Sequence, residues 1–273
     1  MSLFTVSNTS QLTSAVSNAL PGDTILLLPG TYSPSFNNPG SMMININTPG
    51  LRLISAVKNL AVLNGLFQCH SLISLGQNSA GTTIDGLKII NGIHGGIWSN
   101  SLGGQDLLIK NCEIAFISRM VDTTQYGNDG IYTDTAANFT VEDCLIHDIG
   151  RTNDAGNSYD HGIYTHGTLH LRNSFLTNMF CGWHVQTAQG FSGEIEGNTF
   201  SGSNHYDQKP GQIMLWNAAG VVSIRKNKFI SPNSSALTTV GFSSPAITVD
   251  DNIVVGATLG APVGAIARGN IVI

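Results

Sequence analysis

Six of the eight histidines fall between His147 and His205, and four of those lie in one stretch, Ser158 to His184 (SYDHGIYTHGTLHLRNSFLTNMFCGWH). That part of the chain and its flanks, from Asp129 to Lys209, supply Tyr132, Tyr164 and Tyr206, the carboxyls Asp129, Asp134 and Asp160, and the cations Arg151 and Lys209. Imidazole, phenol, carboxyl and cation together are the equipment for moving protons beside a charged group. The spacing argues against a zinc centre, because His161 and His166, five apart on a strand, diverge. The loop TNDAGNSYD carries Asp154, Asn157 and Asp160, oxygen ligands of the kind calcium takes, without the pattern of an EF-hand. No metal or cofactor is therefore expected, with calcium the one ion in question.

The elements that position these groups repeat. From Thr82 onward TIDGLKII, LIKNCEIA, TVEDCLIH, HLRNSFLT, EIEGNTFS, SIRKNKFI, TVDDNIVV and IARGNIVI align, with an apolar residue and a second one five places later. The pairs are Ile84/Ile89, Ile109/Ile114, Val141/Ile146, Leu171/Leu176, Ile195/Phe200, Ile224/Phe229, Val249/Val254 and Ala267/Val272. Three places after each first anchor stand Leu87, Cys112, Cys144, Ser174, Asn198, Asn227, Asn252 and Asn270. Such a register predicts coils of a single-stranded right-handed parallel β-helix, an all-β solenoid in which like residues stack at about 4.8 Å. The asparagines then form an inward ladder, and Cys112 and Cys144 stack as a small buried pair of free thiols. The whole chain, 1–273, reads as one domain.

A second repeated strand precedes several anchors: GGIWSN at Gly95, DGIYTD at Asp129, HGIYTH at His161 and CGWHVQ at Cys181. Alternation sends Ile97, Ile131, Ile163 and Trp183 inward and Trp98, Tyr132, Tyr164 and His184 outward, with Asn100, Asp134, His166 and Gln186 as the next outward row. His161 has the opposite parity from Tyr164 and is either inward or at a bend. At the front of the chain, Asn8 to Ala19 reads as a short amphipathic helix with Thr9 or Ser10 as N-cap, Leu12, Val16 and Leu20 on one face, and Pro21-Gly22 as its stop. Within residues 8–20 it would cap the open end of the stack, ahead of a buried strand from Thr24 to Leu28.

Composition agrees and excludes. Only 11% of residues are charged and 41% are hydrophobic, which suits many strands and tight turns and argues against disorder. A net charge of −5 with no Lys/Arg run argues against a nucleic-acid partner. No long apolar run suggests a membrane span or a leader in the chain as given, and a leader removed from a secreted protein is compatible with that.

The opening TVSNTSQLTSAVSNALPGDTILLLPGTY resembles the N-terminal signature of right-handed β-helix enzymes that act on polysaccharides, the alginate lyase and chondroitinase B group, over about 30 residues. HDIGR...DHGIYTHG, from His147 to Gly167, is similar to an element of bacterial β-helix proteins. The catalytic Lys-Ser and Arg-x-His-Gly segments and paired calcium-binding glutamates of the best-known lyases of that group have no counterpart here. In overall plan the chain resembles polysaccharide lyase family thirty-one. The resemblance implies a secreted, monomeric bacterial lyase cleaving an acidic polysaccharide, alginate foremost, by β-elimination.

That chemistry needs a donor at the uronate carboxylate, a base for the C5 proton and an acid for the departing O4. The residues assigned to the reaction are Lys209, Tyr164, His166, His184 and Arg151. Trp98, Asn100, Tyr132, Asp134, Gln186, His161 and Tyr206 are assigned to substrate binding. Two alternatives stay open. One is a glycoside hydrolase of the polygalacturonase type using Asp129 and Asp160. The other is a non-catalytic carbohydrate-binding or phage-surface module.

Overall fold

The computed structural model describes residues 1–99, 103–119, 127–134, 138–151, 159–188, 190–202, 211–217, 220–232, 235–240 and 246–273. Within them every strand pairing is parallel, and the strands fall into three sheets of eleven, eight and ten strands, to which the successive inner coils contribute in turn. The protein is a parallel β-helix.

The five-residue anchor spacing has a local cause. The first anchor is the penultimate residue of a strand of the eleven-stranded sheet, as Ile84 in Thr83–Asp85, and the second is the second residue of a strand of the ten-stranded sheet, as Ile89 in Lys88–Ile90. Between them, two residues after the first anchor, the chain turns through the left-handed region at Gly86, Asn111, Asp143, Asn173, Gly197, Lys226, Asp251 and Gly269. Glycine, asparagine and aspartate dominate that column because they adopt positive φ at least cost. The anchors stack in continuous columns, Ile84 to Ile109 to Val141 to Leu171 on one sheet and Ile89 to Ile114 to Ile146 to Leu176 on the other. These eight are fully buried. The columns also run back before Thr82, through Ile25 and Leu53, so the first coils belong to the same stack.

The inward turn ladder is present. Asn198 N and Nδ2 donate to Asn227 Oδ1, Asn227 N and Nδ2 to Asn252 Oδ1, and Asn252 N and Nδ2 to Asn270 Oδ1, all at 2.9 to 3.0 Å. Each of these amides also donates to a strand carbonyl of the preceding coil, such as Asn227 Nδ2 to Ile195 O. The ladder thus satisfies backbone groups that the bend leaves without sheet partners. Ser174 and Cys144 continue it with shorter side chains. All four cysteines are buried and free.

At the N-terminal end the helix α1 spans Thr9–Asn18 and buries Leu12, Ala15 and Val16. Its cap is Asn8, whose side chain accepts from Gln11 N, rather than Thr9 or Ser10. Leu20 lies beyond the helix and is exposed, so it is not part of the buried face.

The eight-stranded sheet carries the repeats GGIWS, DGIYT and HGIYT. Its inward column is Ile73, Ile97, Ile131, Ile163, Val185 and Ile213, and its outward column is Ser74, Trp98, Tyr132, Tyr164, Gln186 and Met214. The register after Tyr164 therefore departs from the sequence reading: Gln186, not His184, follows Tyr164. The strand here is only Val185–Thr187. His184 precedes it, in the corner, where side-chain direction follows the bend and not strand alternation. It is 1% exposed, its ring edge-on to Phe200 and its Nε2 3.0 Å from Ser201 O.

Candidate functional site

The outward column forms a stacked aromatic row. The Trp98 and Tyr132 rings lie 4.2 Å apart and nearly parallel, and those of Tyr132 and Tyr164 lie 5.7 Å apart. His70 meets Trp98 edge-on at 5.0 Å and leans on His94 at 4.6 Å. Together with Asp129, His161, Gln186, Tyr159, Trp216 and Gly127, they line a half-open cavity of about 490 Å³ running along the stack.

Two further columns, at the start of each strand, build one wall. The first runs Ser71, Gly95, Asp129 and His161. The second, one residue earlier, runs His70, His94, Asn128 and Asp160, and it is linked by hydrogen bonds. His94 Nδ1 lies 2.5 Å from Asn128 Oδ1, and because an amide oxygen only accepts, the His94 proton sits on Nδ1. Asn128 N then donates to Asp160 Oδ1 at 3.2 Å.

Asp160 ends that column in a closed arrangement. Arg151 donates Nε to Oδ2 and Nη2 to Oδ1, at 2.9 and 2.7 Å, and its own backbone N donates to Oδ2 at 2.9 Å. Both partners are buried, Arg151 at 1% exposure and Asp160 at 0%. Burial pushes the Asp160 carboxyl up, while the guanidinium and the Arg151 and Asn128 N–H groups pull it back. Arg151 is therefore a structural partner inside the wall and not an arm reaching into the groove from a loop. Its guanidinium is spent because the neighbouring acid, buried beside it, demands the bidentate fork.

His161 is at the bend that its parity left open. It is 2% exposed yet faces the cavity, stacked 5.6 Å from Tyr164. Trp183 N donates to its Nδ1 at 3.1 Å, which puts the ring proton on Nε2. Burial lowers its pKa to about 3, so the ring is neutral and acts as a donor. His70 is likewise lowered, to about 4, by burial and by His94. The phenols move the other way: burial, then Asp134, raises Tyr132 to about 12, and burial, then Asp129 and Asp134, raises Tyr164. Both remain protonated through the neutral range.

The structure thus brings Trp98, Tyr132, Tyr164, Gln186 and His161 onto one cavity. His166 stands at its margin, edge-on to Tyr164 at 5.1 Å, and Asp134 is close enough to act on both phenols. Gln186 is nearly buried, and its Oε1 finds no hydrogen-bond partner among the described residues. Arg151 and His184 lie elsewhere, and Asn100, Tyr206 and Lys209 fall outside the described residues. Sequence reasoning missed His70, His94, Tyr159 and Trp216. The first two were detectable: HSLISL at His70 and HGGIWS at His94 align with NDGIYT and DHGIYT, which places both histidines in one column with Asn128 and Asp160.

No family model matches the chain, and no curated protein does. Solved structures do. An alginate lyase from Paenibacillus sp. str. FPU-7 is similar at TM-score 0.55 and 16% identity, over 99% of both chains. Pectate lyase Pel9A is similar at TM-score 0.59 and 14% identity, over 99% of this chain and 79% of that one. The catalytic unit of a GH87 alpha-1,3-glucanase from Streptomyces thermodiastaticus strain HF3-3 is similar at TM-score 0.59 and 16% identity, over 91% of this chain and 51% of that one. At these identities the likeness is one of fold, and it agrees with the parallel β-helix.

Proposed function

We propose that the protein is a polysaccharide lyase that cleaves a uronic acid polymer by β-elimination, with alginate the first substrate to test. The observation that carries the reading is Tyr164: a protonated phenol at the end of a stacked aromatic row, with a neutral N–H donor, His161, against one side and the Gln186 amide one coil further on. Aromatic faces suit the apolar faces of sugar rings. Within this reading Tyr164 protonates the departing O4, and His161 Nε2–H and the Gln186 amide hold the sugar's oxygens. Lys209, on sequence grounds alone, is the base for the C5 proton. The similar alginate and pectate lyases support the reading. The protein would act as a monomer outside the cell. Among the described residues no helix is long and apolar enough to cross a membrane.

The hydrolase alternative needs two carboxyls at the sugar. Asp129 faces the cavity, whereas Asp160 has both oxygens engaged and no exposure. That pair therefore does not supply a hydrolase mechanism.

The test offers alginate, pectate, hyaluronan, chondroitin and a neutral alpha-glucan, following ultraviolet absorbance of the conjugated unsaturated product alongside reducing ends. Absorbance rising with reducing ends on a uronate polymer is expected. Reducing ends without absorbance would replace the lyase with a hydrolase, and binding without either would make the protein a carbohydrate-binding module. Tyr164→Phe is expected to lower kcat by about 10²- to 10⁴-fold with little change in KM. Near-normal turnover would remove Tyr164 from the reaction.

A further inference from the structure

We propose that Asp129 is the group that engages the uronate carboxylate of the sugar lying against Tyr164, through a hydrogen bond from carboxylic acid to carboxylate. The proposal rests on the polyuronate reading above and adds to it the means by which an acidic sugar is accepted.

A polyanion-binding site ordinarily presents lysine or arginine. Among the described residues lining this cavity there is neither, and Asp129 is the one carboxyl. An ionised Asp129 would repel a uronate. The wall behind it decides which form it takes. Asp129 and Asp160 occupy one buried corner on successive coils, Asp129 at 2% exposure, and the guanidinium paired there among the described residues is that of Arg151. Arg151 gives both arms of its fork and its backbone N–H to Asp160. Among the described residues, the hydrogen bond left for the Asp129 carboxyl is one backbone donor, His161 N to Oδ1 at 3.1 Å. Two adjacent buried acids sharing one cation settle with one ionised and the other protonated.

The remaining groups facing Asp129 leave that division intact. His161, beside it in its column, is neutral. Tyr132 and Tyr164, over which its charge would act, are protonated phenols. From His94, the preceding coil contributes a backbone carbonyl that accepts Asp129 N at 2.9 Å. Asp160 and Arg151 cancel as an ion pair. Burial and then Asp160 accordingly hold the Asp129 carboxyl well above the usual range. A carboxylate arriving in the cavity strengthens the effect, because the pair shares one proton and one negative charge. Withdrawing charge from the uronate carboxyl also acidifies its C5 proton, the one that elimination removes.

The experiment measures binding of an alginate trimer by calorimetry from about pH 5 to about pH 10, in buffers of differing ionisation enthalpy, for the wild type, Asp129→Asn and Asp129→Ala. Only the protonated acid binds. Wild-type affinity should therefore be level while free Asp129 keeps its proton and fall about tenfold per pH unit above the Asp129 pKa, where binding takes up about one proton per site. Asp129→Asn, which keeps a donor, should bind within about threefold of the wild type at low pH and lose the pH dependence. Asp129→Ala should bind about ten- to a hundredfold more weakly. Wild-type binding that stays level, without proton uptake, to the alkaline end of that range overturns the proposal, and this arm needs no variant to fold. Undiminished binding by Asp129→Ala overturns it too, as does Asp129→Asn that binds normally but has lost all turnover, which would make Asp129 the reaction's proton donor. Proton-linked binding without unsaturated product would remove the lyase reaction and leave this site standing. Unsaturated product without proton uptake would do the reverse.

Discussion

His184→Gln separates the two placements of that histidine. Alternation puts the ring in the groove as a catalytic group; the folded chain buries it against Phe200 with Nε2 directed at Ser201 O. Burial lowers its pKa from 6.5 to about 4, against a smaller upward pull from the Ser201 carbonyl. An unfolded chain binds a proton at this ring below about pH 6.5, and the native state resists it until about pH 4. The stability associated with the neutral ring is therefore complete above that window and is lost as pH falls through it. At about 1.36 kcal/mol per pH unit, the loss is about 2 kcal/mol by pH 5 and about 3 kcal/mol across the window. His161 adds a slope of the same sign and the partly buried His70 a smaller one, while the raised carboxyls Asp129 and Asp160 add slopes of the opposite sign. The difference between wild type and variant isolates His184. Urea midpoints at neutral pH and near pH 5 measure it. The variant should lose about 2 kcal/mol less on acidification, after a neutral-pH cost of about 1–3 kcal/mol for the altered hydrogen bond and packing. Turnover per folded molecule should hold. Equal acid slopes in the two proteins, or lost turnover with an unchanged slope, would refute the buried placement.

Two other substitutions probe the frame. Arg151→Ala strips Asp160 of its buried counter-ion and should cost about 3–5 kcal/mol, a Tm drop on the order of 10 °C, while KM of the folded fraction stays put. A selective rise in KM at unchanged Tm would return Arg151 to the substrate. Asn227→Ala leaves Asn198 N and Ile195 O without their side-chain partner, and chemical denaturation should register about 3 kcal/mol of lost stability with normal specific activity. A loss under about 1 kcal/mol would mean that the ladder is decorative.

Much of the architecture was legible in the chain because a solenoid repeats its local rules. The five-residue anchor spacing follows from the left-handed turn residue that sits between the two anchors of each coil, and Gly86, Asn111, Asp143 and Asn173 advertise that turn by type. The row Trp98, Tyr132 and Tyr164 was equally readable, since strand parity holds wherever the backbone is extended. Parity failed at the corners. His184 lies just outside a three-residue strand, and His161 lies at the start of one, so neither direction was written in alternation.

Residue type and spacing by themselves determined the coil register, the inward asparagines and the face that bears the aromatic row, because each depends on neighbours close in sequence or one repeat away. Tertiary structure alone decided which charges are spent. Arg151 looked available until the fold laid Asp160 beside it, and Asp129 looked like a twin of Asp160 until that single guanidinium went to its neighbour. The reason is electrostatic: the state of a buried acid depends on desolvation and on the distance to the nearest cation, and both come into being only when the coils stack.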